Sequence, residues 1–209
     1  MPLPNRVDPF GQLHAVAERG TLMGNRGRIH LPDRTLGARR WATARWIACV
    51  LEFRGRHRDV WSPHSYTELF LLDEATALAA GHRPCFECRR DDATRFARAW
   101  FAARAEPIPP APAARIDLAL HRDRVDLATG AKRTFTSPAV DLPPGTLFRR
   151  SPGAPPELVW NGVARPWSFR GYGHPAPLPP HQVEVLTPSG VVAALRAGYV
   201  PRLHPSASA

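Results

Sequence analysis

Apolar positions along the chain come in short runs punctuated by glycine and proline, and most runs are too short for long helices. Residues 46–53, Trp46-Ile47-Ala48-Cys49-Val50-Leu51-Glu52-Phe53, are β-branched and aromatic, which predicts a buried strand with Trp46 in the core. Cys49 falls on the same face of that strand as Ile47, Leu51 and Phe53. Residues 54–59 read as an arginine-rich turn, so the pattern predicts a hairpin closing on Val60 and Trp61; pairing Phe53 with Val60 sets Cys49 across from His64. Residues 66–72 predict a second strand. Asp73 then suits an N-cap, residues 74–80 a helix, and Gly81 its stop. Farther on, Asp91 or Asp92 caps a helix reaching about Phe101, with Ala93, Phe96 and Trp100 on one face.

The remaining segments are less periodic. Residues 1–13 predict an extended arm. Residues 20–30 predict a glycine-punctuated loop whose N–H groups, with Arg26 and Arg28, suit an anion. The Pro/Ala stretch 106–114 predicts a stiff linker, which divides the chain into 1–104, a linker at 105–115, and 116–209. The second part predicts a short helix over 116–121, strands near 146–148 and 158–164, and a further strand over 183–186. Asn161-Gly162 between apolar residues is a hairpin signal, and Thr187 is expected to cap a last helix. Leu195-Arg196-Ala197-Gly198-Tyr199-Val200-Pro201 parallels Leu78-Ala79-Ala80-Gly81-His82-Arg83-Pro84, as an internal repeat or as a common way to stop a helix.

Candidate chemistry concentrates at Pro84-Cys85-Phe86-Glu87-Cys88. Two residues between the thiols let one turn bring both sulfurs to about 3.5–4 Å, a spacing that suits one tetrahedral zinc ion. Cys49 is the only other cysteine, and three thiols in 209 residues do not make a secreted disulfide framework. No apolar run approaches the roughly 20 residues that cross a bilayer, and residues 1–6 lack an apolar signal core, so cytoplasm is the expected compartment. The net charge is +10, and nearly all of the positive charge is arginine. Nine arginines against Asp33 and Glu52 between Arg26 and Arg58 leave a local balance of +7. With tryptophan interleaved, Arg39, Arg40, Trp41, Arg45, Arg54, Arg56 and Arg58 form the expected nucleic-acid surface, DNA ahead of RNA.

The residues Leu78, Ala80, Gly81, Arg83, Pro84, Cys85 and Cys88, following a strand and a short helix, resemble the second half of the Ada-type zinc-binding domain, with His82 where that family has Phe or Tyr. The resemblance covers residues 66–88; the family's earlier C-x3-C pair is missing. It implies a zinc module seated on DNA and a first ligand near position 57. The expected metal set is therefore Cys49, Cys85, Cys88 and His57, with His64, His82 and His30 as alternatives for the histidine. The expected fold class is α+β: a small zinc-stabilised N-terminal α/β domain followed by a loop-rich, mainly β domain. Three functions follow. One is a zinc- and nucleic-acid-binding protein in DNA repair or processing. Another is a hydrolase or other enzyme on nucleic acid or nucleotide in a cleft between the domains, using His30, His82 or Glu68. The last is a thiol redox protein using Cys85 and Cys88.

Overall fold

The computed structural model describes residues 2–55 and 59–208. The expected extended arm is instead paired: β1 (Arg6–Val7) and β2 (Leu13–His14) form an antiparallel ladder at the edge of a six-stranded sheet. The expected loop at 20–30 is likewise a strand over part of its length, β3 (Leu22–Asn25), antiparallel to β4 (Ile47–Val50) and to β5 (Leu69–Leu71). Thus β4 finds its partner earlier in the chain, and the expected hairpin with Val60 does not form. Cys49 lies opposite Met23, not His64. Trp61, in the left-handed region with φ 60°, turns back into the core, where its N–H groups bond Glu68.

After β5 come α1 (Glu74–Ala79) and β6 (Arg83–Pro84), which pairs in parallel with β4. The sheet order β2-β1-β5-β3-β4-β6 makes β5-α1-β6 a crossover between parallel strands that passes over β3 and β4. As expected, Asp73 caps α1 by accepting from the Thr76 N–H at 2.9 Å. Gly81 ends it with φ 88°, a conformation that a side chain disfavours. The expected cap of the next helix, α2 (Arg90–Ala102), is different: Arg89 occupies the N-cap without a side-chain bond, and Asp92 pairs with Arg89 instead. Ala93, Phe96 and Trp100 share its buried face.

The Pro/Ala stretch runs directly into α3 (Pro112–Arg124), so residues 112–115, expected in an extended linker, form a first helical turn, and the short helix expected over 116–121 is longer. Pro112 suits that position because its missing N–H would have no partner there. The second sheet follows: β7 (Phe135–Pro138), β8 (Leu147–Arg149), β9 (Glu157–Trp160), β10 (Val163–Ser168), β11 (Gly171–Tyr172), β12 (Ala176–Pro177) and β13 (Gln182–Val185). Its order is β11-β10-β9-β8-β13-β7, with β12 on β10. Asn161 and Gly162 both take positive φ, 51° and 76°, and close the expected hairpin. The last helix, α4 (Ser189–Arg196), starts after Pro188, while Thr187 hydrogen-bonds Leu147 rather than capping it.

The architecture is α+β with two sheets. Helix α1 is buried along its whole length between them. Ala77 and Ala80 pack on the first sheet with Val7, Leu69 and Leu71. Ala75 and Ala79 pack on the second with Leu147, Leu158 and Trp167. Leu78 enters a helical cluster in which Phe96 and Trp100 of α2 meet Ile116 and Leu120 of α3 and Val191 of α4. Residues from both sides of the Pro/Ala stretch therefore share cores. Polar groups follow the same plan. Besides Thr76, Asp73 accepts from the Tyr172 hydroxyl at 2.9 Å and the His204 N–H at 3.0 Å. Glu74 takes Arg89 at 2.7 Å, the Tyr199 hydroxyl at 2.5 Å and the Arg202 N–H at 2.8 Å.

A surface N-cap is worth about 1 kcal/mol, but removing Asp73 also leaves buried donors from the second sheet and the C-terminal segment without an acceptor. Asp73→Ala should therefore lower unfolding stability by about 3–5 kcal/mol in urea titrations, and Asp73→Asn by less.

Candidate functional site

Two groupings of chemically potent side chains lie at opposite ends of the segment 81–88. The first is the thiol cluster. Because β6 pairs in parallel with β4 and Ala48 opposes Pro84, the next residues along the two strands are Cys49 and Cys85; the Cys85 N–H donates to the Ala48 carbonyl at 3.0 Å. The turn after β6 returns Cys88, and the Sγ atoms of Cys49, Cys85 and Cys88 all lie within 4.8 Å of one another. All three cysteines are free. Hydrogen bonds from the Cys49 and Cys88 thiols hold the Cys85 pKa far below the usual thiol range, and the N–H groups of Cys88 and Glu87 add to this, the latter at 3.4 Å. The same bond to Cys85 pushes the Cys49 thiol far up. Three sulfurs this close form a donor set that can hold a metal ion once their protons leave.

The cluster opens on a cavity of about 860 Å³ also lined by Glu52, Glu68 and Glu87. No histidine or carboxylate atom joins the three sulfurs among the described residues. His57, the expected fourth ligand, lies outside the described residues, as do Arg56 and Arg58. The alternatives are elsewhere. His30 uses both ring nitrogens on Thr67 and the Ser62 carbonyl and stacks on Trp61 at 5.4 Å. His64 is exposed and outside the cluster. His82 is fully buried; burial first, then the charges of Arg26 and Arg124, holds its pKa well below the ordinary imidazole value, so it stays neutral.

The second grouping is cationic. Arg26 follows β3, Trp46 precedes β4, and Arg124 ends α3; the two guanidiniums cover the Trp46 ring from 4.2 and 4.0 Å. Trp46 is core, as expected. Gly81 permits this packing, because a Cβ there would meet Arg124 Cδ at 2.4 Å. Arg26 and Arg124 are each only 1% exposed, yet their partners are neutral. Arg26 donates to the Gly11 carbonyl and to His82 Nε2, while Arg124 donates to the carbonyls of Gly81 and Ala44 and approaches His121 Nδ1 at 2.9 Å. Lys132, half-buried, donates to the Ala79 carbonyl at 2.6 Å. These side chains line a cavity of about 430 Å³ with Arg40 and Trp41. Burial pushes Arg26 and Arg124 down to about 9 and Lys132 down to about 7; neighbouring guanidiniums add to the fall at Arg124 and Lys132, while Asp8 opposes it at Arg26 and Lys132, Asp117 at Arg124 and Glu184 at Lys132.

Of the expected nucleic-acid surface, the structure gathers Arg39, Arg40 and Trp41 around an outer depression of about 610 Å³, which shares Arg40, Trp41 and Gly130 with the inner cavity. Arg45 is exposed, and Arg54 lies over the Phe53 ring at 5.0 Å, outside both linings. Trp41 is half-buried, edge-on to His121. Sequence reading missed Arg124 and Lys132 as site residues; Arg26, expected in a loop suited to an anion, lies just after β3 and outside any strand. The one signal for Lys132 is composition: it is the single lysine among 28 basic residues. Compared with protein-family models, curated proteins and solved structures, the chain matches none.

The depressed Lys132 pKa sets a stability profile. Below pH 7 native and unfolded chains both carry the proton, and the full cost of the buried ammonium is present. Between about 7 and the ordinary value of 10.5 the unfolded chain binds more protons, so this contribution to stability rises with pH. Wild type minus Lys132→Met stability, from urea unfolding in buffers free of multivalent anions, should increase from pH 7 to 10; a flat difference would contradict the burial.

Proposed function

We propose that the protein is a zinc-binding protein that contacts nucleic acid, with Cys49, Cys85 and Cys88 as zinc ligands and Arg39, Arg40 and Trp41 as the nucleic-acid face. The observation that carries the zinc assignment is the convergence of three sulfurs from two chain segments 36 residues apart. Thiolate ligands favour zinc over magnesium or calcium, and a structural site is closed by a fourth ligand. His57 remains our choice for that place on the Ada-type resemblance. The nucleic-acid part rests on exposed arginines beside a half-buried tryptophan and on the basic surplus of the chain. DNA repair or processing is the setting the resemblance favours.

A second reading has its own observation. The three sulfurs face a cavity lined by carboxylates, and a zinc ion with three protein ligands and an open position is the arrangement of hydrolytic sites. An enzyme on a nucleotide or nucleic acid would use Glu68 or Glu87 there as the acid–base group. Glu68 already accepts from the Trp61 N–H at 2.7 Å, which fixes its position.

Protein prepared without chelator should carry roughly one zinc per chain. Cys85→Ser and Cys49→Ser should each lose it and lower the melting temperature, because metal-binding energy in such a site is folding energy. Metal retained in Cys49→Ser would remove Cys49 from the ligand set. For the basic face, Arg39→Ser/Arg40→Ser should make the log–log salt dependence of DNA binding shallower by about 1–2 units, at about 0.9 per lost phosphate contact, with the melting temperature unchanged. An unchanged slope would remove that face from the reading.

A further inference from the structure

We propose that the inner cavity is a binding site for a phosphate monoester, with Arg26, Arg124 and Lys132 holding the phosphate and Arg40 and Trp41 flanking the group attached to it. This goes beyond the zinc reading and does not rest on it. The central observation is a group of cations with no directly bonded counter-charge. Two buried cations and the half-buried Lys132 converge on one cavity; among the described residues every direct hydrogen-bond partner they have is neutral, and no Asp or Glu lines the cavity. The carboxylates whose fields reach these cations are engaged elsewhere: Asp8, acting on Arg26 and Lys132, is bonded to the Gln12 N–H at 2.9 Å and to His14 Nε2 at 2.8 Å; Asp117, acting on Arg124, pairs with Arg83; and Glu184, acting on Lys132, pairs with Arg149. Furthermore, Arg26 Nη2 and Arg124 Nε are buried donors with no hydrogen-bond partner among the described residues. Buried polar groups are almost always bonded, and two orphaned donors on guanidiniums whose residues line one cavity are what an anion with several acceptor oxygens would satisfy.

The chemistry narrows the anion. Guanidinium forks and an ammonium point charge together are the donor set that phosphate takes, and a dianion matches three cations better than a carboxylate does. A volume of about 430 Å³ lies within the roughly 300–1,000 Å³ range of small-molecule sites and exceeds what a bare ion fills. Trp46 is buried and already lies against two guanidiniums, so it acts as a wall. Trp41 reaches from this cavity into the outer depression and offers its indole to a planar substituent such as a nucleobase. In a chain that otherwise uses arginine in place of lysine, the one lysine lines this cavity and puts a compact ammonium on the Ala79 carbonyl at 2.6 Å. The lowered pKa values of all three cations describe a site that gains from receiving negative charge. A free nucleoside monophosphate and the 5′-phosphorylated end of a strand present the same chemistry.

The test is calorimetric titration and thermal shift of the full chain with adenosine 5′-monophosphate, adenosine, inorganic phosphate and sulfate, and with a short oligonucleotide with and without its 5′ phosphate. We expect adenosine 5′-monophosphate to bind and raise the melting temperature while adenosine does not, with inorganic phosphate competing and sulfate weaker. Lys132→Met should weaken that binding by about tenfold or more, the loss of one charge-assisted contact, while raising the melting temperature of the ligand-free protein by removing an unpaired buried charge. Phosphate-dependent binding of the oligonucleotide would identify a strand end as the source; binding of the mononucleotide alone would identify a free nucleotide. The proposal is overturned if adenosine 5′-monophosphate binds no better than adenosine, if sulfate matches phosphate, or if Lys132→Met keeps full affinity. Oligonucleotide binding indifferent to both the 5′ phosphate and Lys132→Met would overturn the cavity site and leave the surface reading standing.

Discussion

The structure depends on a six-residue helix that water does not reach. Helix α1 is too short to be stable alone, since helix nucleation is costly and isolated helices of this length do not persist. Its stability comes from both sheets and the helical layer closing on it, and those layers are held to it by Asp73 and Glu74. The two carboxylates collect donors from β11, the start of α2 and the C-terminal segment. The small side chains Ala75, Ala77, Ala79 and Ala80 let two sheets approach one helix from different sides. A larger residue at any of them would force one sheet away, because a packed core accommodates extra volume poorly.

From that helix a single segment distributes the chemistry. Gly81 makes room for Arg124, and His82 receives Arg26 in a neutral, buried contact. Arg83 forms a two-pronged pair with Asp117 at 2.8 Å for each prong, which fixes α3 against β6. Pro84 then hands the chain to Cys85 and Cys88. The arginine and proline of this motif thus have structural work, while its two ends reach a thiol cluster and a cationic cavity. Both ends oppose stability as they stand: buried cations without counter-charges are costly, and clustered thiols compete for protons. Such local conflicts against a well-packed background are where function is sought.

Local signals in the sequence determined the elements whose chemistry lies within a few residues. Asp73 and Gly81 bracket α1, Asn161-Gly162 closes the β9–β10 hairpin because both residues adopt positive φ, and the CxxC spacing places Cys85 and Cys88 in one turn. The periodicity of Ala93, Phe96 and Trp100 likewise showed the buried face of α2. The parallel between the ends of α1 and α4 has a local cause too. Each glycine and the residue after it donate to carbonyls three and five residues back, Gly81 to Leu78, His82 to Ala77, Gly198 to Leu195 and Tyr199 to Ala194.

Partner choice was decided only by the tertiary structure. Nothing near Cys49 says that its strand pairs with β3 and β6 rather than with the residues after the next turn, because a ladder's register depends on which distant strand buries the same face. The arm at the start of the chain has no periodicity, yet it becomes β1 and β2 because the edge of β5 supplies its hydrogen bonds. The Pro/Ala stretch has a linker composition, yet its end becomes helix because Ile116 and Leu120 fit the cluster around Trp100. Arg26, Arg124 and Lys132 are scattered over more than a hundred residues and carry no motif; only the closing of two sheets on α1 brings their charges to one cavity. Sequence encodes what neighbouring residues do to the backbone, whereas convergence of distant charges and thiols depends on the packing of the whole chain.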